Sequence, residues 1–281
     1  MASVNSPFRR FIKPILFKLL GKRFYKHFQY LGKLKDIKNR LVEEPEIELL
    51  PHFIRTKDEV LDIGANYAYY TERMANLCKE GRVYAFEPIP FTAEVAKKII
   101  KKLQLNNVVF YQKGVGIKTE VLQFSVPKLD FGAISAGQAH IGTRNNELVK
   151  GSNLHISDKY ENFDCEVIDI DTFLLPTLKN LTFIKIDIEG AEYFAFQGMK
   201  QTLLQFKPVV LIEIVPLFLK SFNVKVEDFQ NFIEQELGYI IFEYDKPRQK
   251  LYQVTGNTVE KEKNYILIHT EKVNSFAHLI G

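Results

Sequence analysis

The chain has 281 residues, 46% of them hydrophobic, 26% charged and 13% aromatic, with 15 Gly, 11 Pro, no Trp and two Cys. This composition fits a globular protein with a sizeable core, as one large domain or one domain plus an appendage, and excludes collagen-like, low-complexity and disulfide-scaffold classes. The net charge of +4 hides a division: residues 1–42 hold eleven Lys/Arg and one acid, a balance of +10, and the rest holds 27 basic against 33 acidic residues, a balance of −6.

Residues 1–45 read as a basic, partly amphipathic helical arm on a mildly acidic body. Ser6-Pro7 supplies an N-cap and a first-turn proline, and Phe8, Phe11, Ile12, Ile15, Leu16 and Leu19 recur at helical spacing on one face. Pro14 predicts a kink or break. Phe24, Tyr25, Phe28, Tyr30 and Leu31 continue the mixture of aromatic and basic residues up to Glu43-Glu44-Pro45. Three roles fit such an arm: peripheral contact with an anionic membrane through residues 8–31, capping of the body or contact between copies in a homo-oligomer, and nucleic-acid binding. Nucleic acid ranks last, because the body is acidic and carries no reader motif.

Residues 46–281 alternate strands and helices. Short apolar runs at Glu59–Ile63, Arg82–Phe86, Asn107–Tyr111, Leu181–Ile186, Pro208–Ile214, Tyr239–Tyr244 and Tyr265–His269 predict strands, and Tyr67–Lys79, Thr92–Leu103, Ala191–Phe206 and Val226–Leu237 predict helices. The alternation predicts an α/β domain with a mostly parallel sheet. Residues 127–160, rich in Gly, Ser and Asn, predict a long irregular insertion of the kind used as a lid or substrate loop. Cys78 and Cys165 lack any zinc or disulfide spacing, and no apolar run is long enough to cross a membrane. The expectation is a cytoplasmic protein, with peripheral membrane contact open.

Three segments carry chemistry. Val60-Leu61-Asp62-Ile63-Gly64-Ala65-Asn66 is an apolar strand running into a Gly turn and a helix, where an α/β sheet binds its ligand. The second and third glycines of a dinucleotide fingerprint are missing, and Asp62 would repel a pyrophosphate, which disfavours an NAD-dependent oxidoreductase. Val83-Tyr84-Ala85-Phe86-Glu87-Pro88 ends a second strand in a carboxylate 25 residues after Asp62, placed to accept both hydroxyls of a ribose, with Pro88 stiffening the exit. In Phe183-Ile184-Lys185-Ile186-Asp187-Ile188-Glu189-Gly190-Ala191-Glu192, strand alternation would put Lys185, Asp187 and Glu189 on one side, and three carboxylates so close together call for a cation or a proton to bind. A strand-to-helix junction with its acids at the positive end of the helix dipole is the structural alternative. Neither a zinc spacing nor a phosphate-binding loop is present, so no metal is demanded, although carboxylates could ligate Mg²⁺.

In this order, D-I-G-A-N, F-E-P and I-K-I-D-I-E-G-A-E followed by the apolar strand Pro208–Glu213 resemble the FkbM family of S-adenosylmethionine-dependent methyltransferases, over residues 55–245. The resemblance implies a class I methyltransferase fold, Rossmann-like and doubly wound on a mostly parallel seven-stranded sheet. It also implies O-methylation of a hydroxyl, in many members on a sugar or natural product, so the expected partner is a hydroxyl-bearing small molecule or glycan. Carried over by position, Asp62, Gly64, Ala65 and Asn66 would form the methionine and ribose side of the pocket, with Thr71 at its edge. Glu87 would hold the ribose beside Pro88, Gly114 would border the adenine, and Asp187 would face the methionine amino group or the acceptor. Asp187 or Glu189 is the first candidate for the general base and His140 the second. Where the family has a branched aliphatic residue and then Gly, this chain has Tyr67-Ala68, which leaves a non-catalytic binding protein of the same fold as the rival reading.

Overall fold

The computed structural model describes residues 7–41, 44–129, 134, 139–141, 156–256, 259 and 263–281. Helix α1 (Pro7–Lys38) leads through a short 3-10 turn into α2 (Leu50–Phe53). The alternation then begins with β1 (Glu59–Ile63), α3 (Tyr69–Leu77), β2 (Arg82–Phe86), α4 (Pro90–Lys102) and β3 (Val108–Tyr111). A second unit follows, with β4 (Gly114–Val115), β5 (Glu120–Leu129), β6 (His140–Ile141) and β7 (Ile156–Ile168). The chain returns through α5 (Ile170–Phe173) to β8 (Leu181–Ile186), α6 (Glu192–Gly198), α7 (Lys200–Phe206) and β9 (Val209–Ile214). It ends with α8 (Pro216–Ser221), α9 (Val226–Asn231), β10 (Tyr239–Asp245), β11 (Lys250–Gln253), β12 (Lys263–His269) and a 3-10 segment.

All seven predicted strands lie in one sheet of order β11-β10-β12-β9-β8-β1-β2-β3. Pairs from β9 through β8, β1 and β2 to β3 are parallel, and β12, β10 and β11 close the sheet antiparallel. The sheet therefore has eight strands rather than seven. The extra strand, β11, is a short edge strand in which only Leu251 is buried, so it has no apolar run to announce it. Side-chain parity sorts the core into two layers: Leu61, Ile63, Ile184, Ile186, Val210 and Ile212 face one side, and Val60, Phe183, Val209 and Leu211 the other.

Three other expectations are corrected. The first is the insertion at 127–160: its flanks extend β5 and β7 into a long antiparallel pair, in a separate four-stranded sheet of order β4-β7-β5-β6. The glycines that suggested irregular structure, Gly132, Gly137, Gly142 and Gly151, fall outside the described residues. The second is the helix read over Ala191–Phe206, which is two helices. Its break follows Gly198, where a Cβ would lie 1.9 Å from the Gly116 carbonyl oxygen, and Asp171 of α5 caps the new N-terminus through Gln201 N and Thr202 N, both at 2.8 Å. The third is the break in α1, which falls at Gly21 (φ 75°, ψ 179°) instead of Pro14. Gly21 lies in open space and can take a positive φ, which no other residue type does as cheaply.

Beyond that break, the arm is part of the body. Tyr25, Leu34 and Ile37 are buried in a cluster with Ile89, Phe91 and Val95 of α4 and its entry, and Tyr25 stacks on Phe91 at 6.5 Å. In the middle of the sheet the chain order reverses: β2 flanks β1 on one side and β8 on the other. Such a switch point opens a crevice at the carboxyl ends of the strands, where ligands bind.

Candidate active site

Three turns meet at that crevice. After β1 the chain turns at Gly64 (φ 81°), whose N–H, like that of Ala65, donates to the Phe86 carbonyl. A Cβ on Gly64 would lie 1.9 Å from the Asp187 carbonyl oxygen, so only glycine lets the turns after β1 and β8 touch. Asn66 and Ala68 follow in left-handed conformation (φ 47° and 65°) before α3 starts.

Glu87, at the end of β2, ties the first two turns together. Its Oε2 accepts from Asn66 N at 3.1 Å and its Oε1 from Ile89 N at 2.9 Å. Burial pushes this carboxyl up to about 7, against the pull of those two backbone donors. Each oxygen keeps lone-pair capacity for a further donor.

The turn after β8 holds the charge cluster. Lys185 is the next-to-last residue of β8, and its Nζ donates to Asp187 Oδ2 at 3.0 Å while lying 5.2 Å from the centre of the Tyr70 ring. Burial works against the lysine's charge, yet Asp187 and Asp62 hold its pKa above the ordinary value. Burial likewise works against the Asp187 carboxylate, but Lys185 and a hydrogen bond from Glu213 hold it below the usual range. Burial and the charge of Asp187 push the Glu213 carboxyl, at the end of β9, up to about 9. Next along the chain, Glu189 takes a left-handed conformation (φ 58°), and Glu192 caps the turn by accepting from Ile188 N (3.0 Å) and Gly190 N (3.2 Å).

A cavity opens between these turns. Of the expected residues, Gly64, Asn66, Glu87, Pro88, Gly114, Asp187 and Glu189 line it. Asp62, Ala65, Thr71 and His140 do not. Asp62 pairs with Lys185 in the β1–β8 register and points to the α3 face, where its fully buried Oδ2 accepts from Thr71 Oγ1 at 2.5 Å. Burial raises this carboxyl too. His140 is buried in β6, edge-on to the Tyr160 ring at 5.8 Å, and its neighbours Ala139 and Ile141 reach the cavity instead. Sequence reasoning missed Ile89, Phe124, Ala139 and Ile141, which are part of the apolar lining. Phe124 and Ile141 are paired across β5 and β6 of the second sheet, and no local motif marks them.

The lining is acidic and rich in acceptors. Asn66 Oδ1, on the cavity wall, is buried without a hydrogen-bond donor. A ligand that brings a cation, an ammonium and ribose hydroxyls would satisfy such a set, and a polyanion would not. The doubly wound sheet with a pocket at its switch point has the fold of class I methyltransferases. Residues 62–241 match the family model described as the methyltransferase FkbM domain, and the chain belongs to that family. Its methyl donor is S-adenosylmethionine. Solved structures similar to this chain include the methyltransferase FkbM from Methylobacillus flagellatus KT, 14% identical with a TM-score of 0.45, over 86% of this chain and 59% of that one. The chain thus spans 59% of the length of that relative. The S-adenosylmethionine-dependent O-methyltransferase from Thermotoga maritima is similar at 12% identity and a TM-score of 0.43, over 84% of this chain and 71% of that one. Cofactor-bound Rv0187 from MTB is similar at 13% identity and a TM-score of 0.45, over 90% and 92%. No curated protein sequence matches the chain.

Proposed function

We propose that the protein transfers the methyl group of S-adenosylmethionine to a hydroxyl oxygen of a sugar, a glycan or a related natural product. The observation that carries this reading is a pair of acids, Asp187 and Glu189, on the wall of one cavity. Asp187 is tied to Lys185 and Glu213, and Glu189 stands on a left-handed turn at the rim of the same cavity. A hydroxyl is a weak nucleophile at neutral pH and needs a base beside it. Glu189 takes that role, and Asp187 holds the cationic end of the cofactor.

When bound, S-adenosylmethionine supplies an electrophilic methyl carbon on a sulfonium that leaves as a neutral thioether. Glu87 would accept the ribose hydroxyls, and Asn66 Oδ1 and Asp187 would accept the donors of the methionine end. Phe124, Ile141 and Ile188 exclude water from the acceptor side. Glu189 would take the proton of the acceptor hydroxyl, and the walls would contribute to the rate mainly by positioning the two reactants. Tyr67 and Ala68, which motivated the non-catalytic alternative, do not line the cavity. Tyr67 is buried under the arm, with Lys33 Nζ 4.8 Å from its ring centre, so neither residue supports that alternative.

The test is incubation with methyl-labelled cofactor and a panel of sugars and glycans, read by mass spectrometry for products heavier by one CH₂ unit. Glu189→Gln is expected to lower kcat by on the order of 10²–10⁴-fold while leaving the cofactor Kd unchanged. Label found only on nitrogen, or a fully active Glu189→Gln, would overturn the proposal.

A further inference from the structure

The described residues expose nine large hydrophobic side chains, and four of them, Ile15, Leu19, Phe24 and Leu31, belong to α1. After the Gly21 break, the positions fall into a single stripe: Phe24, His27, Leu31, Lys35 and Lys38 are all exposed at i, i+3, i+7, i+11 and i+14. The opposite side of the same helix, Tyr25, Leu34 and Ile37, is buried on α4. The helix is therefore held rigidly with one apolar-basic edge outward.

Alongside this edge lies a basic basin. His27 and Tyr30 of α1 and Lys98, Lys101, Lys102 and Gln104 of α4 and its exit line an open depression with no acid among them. The nearby ion pair and hydrogen bond do not fill it: Lys26 is paired with Glu94 at 2.5 Å, and Lys97 Nζ donates to Gln112 Oε1 at 3.2 Å. All three lysines of the basin are exposed. Before Gly21, Lys18 is exposed between Ile15 and Leu19, and Phe17 packs edge-on against Tyr25 (5.4 Å), which stacks on Phe91 at the start of α4, next to the cavity-lining Pro88 and Ile89.

We infer that α1 and the C-terminal turn of α4 form one docking face for an anionic lipid bilayer, with Phe24 and Leu31 entering the interface and Lys98, Lys101 and Lys102 meeting lipid phosphates. A bilayer fits better than a protein groove or a nucleic acid. The apolar side chains are spaced along an edge instead of forming a patch, and the positive charge flanks them as at a membrane interface, where apolar burial and charge attraction add. No described helix is long and apolar enough to cross the membrane, so the contact is peripheral.

The experiment is flotation of the full chain with vesicles of phosphatidylcholine alone and of phosphatidylcholine with phosphatidylglycerol, at low and high salt. Binding is expected to the anionic vesicles only and to weaken with salt. Lys98→Ala/Lys101→Ala/Lys102→Ala is expected to weaken it by on the order of 100-fold, about fivefold per lysine, and Leu31→Ser to weaken it independently. Both variants change exposed side chains and leave cofactor binding intact, which shows that they are folded. Absence of flotation, equal binding to neutral vesicles, or full binding by the triple variant would overturn the inference. So would retardation of RNA that depends on these lysines without vesicle binding. Since cofactor binding is read separately, failure here leaves the methyltransferase assignment standing.

Discussion

Glu87 couples the pocket to pH. Its carboxyl and that of Glu192 are both raised from 4.5 to about 7, so between these values the folded protein holds protons that the unfolded chain has released. Stability from these groups is complete below pH 4.5 and is lost as pH rises through about 7, by up to about 3 kcal/mol for each group. Urea denaturation of the cofactor-free protein is expected to give lower stability at about pH 8 than at about pH 5.5, with a flatter profile in Glu87→Gln. Ribose hydroxyls donating to the carboxylate favour its charged form, so cofactor binding near neutral pH is expected to release a proton. Calorimetry in buffers of different ionisation enthalpy measures that release, and none on binding to wild type would contradict the role of Glu87. The position of Glu87 was legible from a strand end and a spacing. Asp62 was legible as important but misplaced, because its parity on β1 sends it to the α3 face beside Lys185 and away from the cavity.

At the scale of elements, the site depends on two turns that touch. Gly64→Ala would need an L-residue at φ 81° with its Cβ 1.9 Å from the Asp187 carbonyl oxygen. Relief requires the turns after β1 and β8 to separate, so the expected cost is at least about 2 kcal/mol of stability, with loss of cofactor binding. Thermal unfolding and calorimetry check both, and a variant with unchanged melting and affinity would show that the contact is dispensable. The strands themselves could be read from apolar runs, since a parallel sheet covered on both faces makes its strands nearly continuous in Val, Ile and Leu. The helix ends could not: the split after Gly198 depends on the Gly116 backbone passing close by and on a cap from Asp171, both distant in sequence.

For the whole molecule, the question is what the basic arm belongs to. Tyr25 is 1% exposed and sits between Phe17 and Phe91, so Tyr25→Ala should cost about 3–5 kcal/mol, as removal of any large buried aromatic does. Deleting residues 1–20 removes the Phe17 contact but keeps Tyr25 on Phe91 and is expected to lower the melting temperature only modestly, whereas deleting 1–41 uncovers Tyr67, Ile89 and Phe91 and is expected to abolish cooperative unfolding. Equal stability of the two truncations would show that the arm is a mere appendage.

The sequence by itself determined the alternation of strands and helices, the three acidic turns and the uneven division of charge. Those features depend on residues close together in the chain, where propensity, parity and spacing act. Only the tertiary structure decided which acids face the cavity, that the second sheet supplies its apolar wall, and that half of the arm is core while one edge stays bare. Register, crossing of turns and burial join segments far apart in sequence, and their free energy appears only when those segments meet.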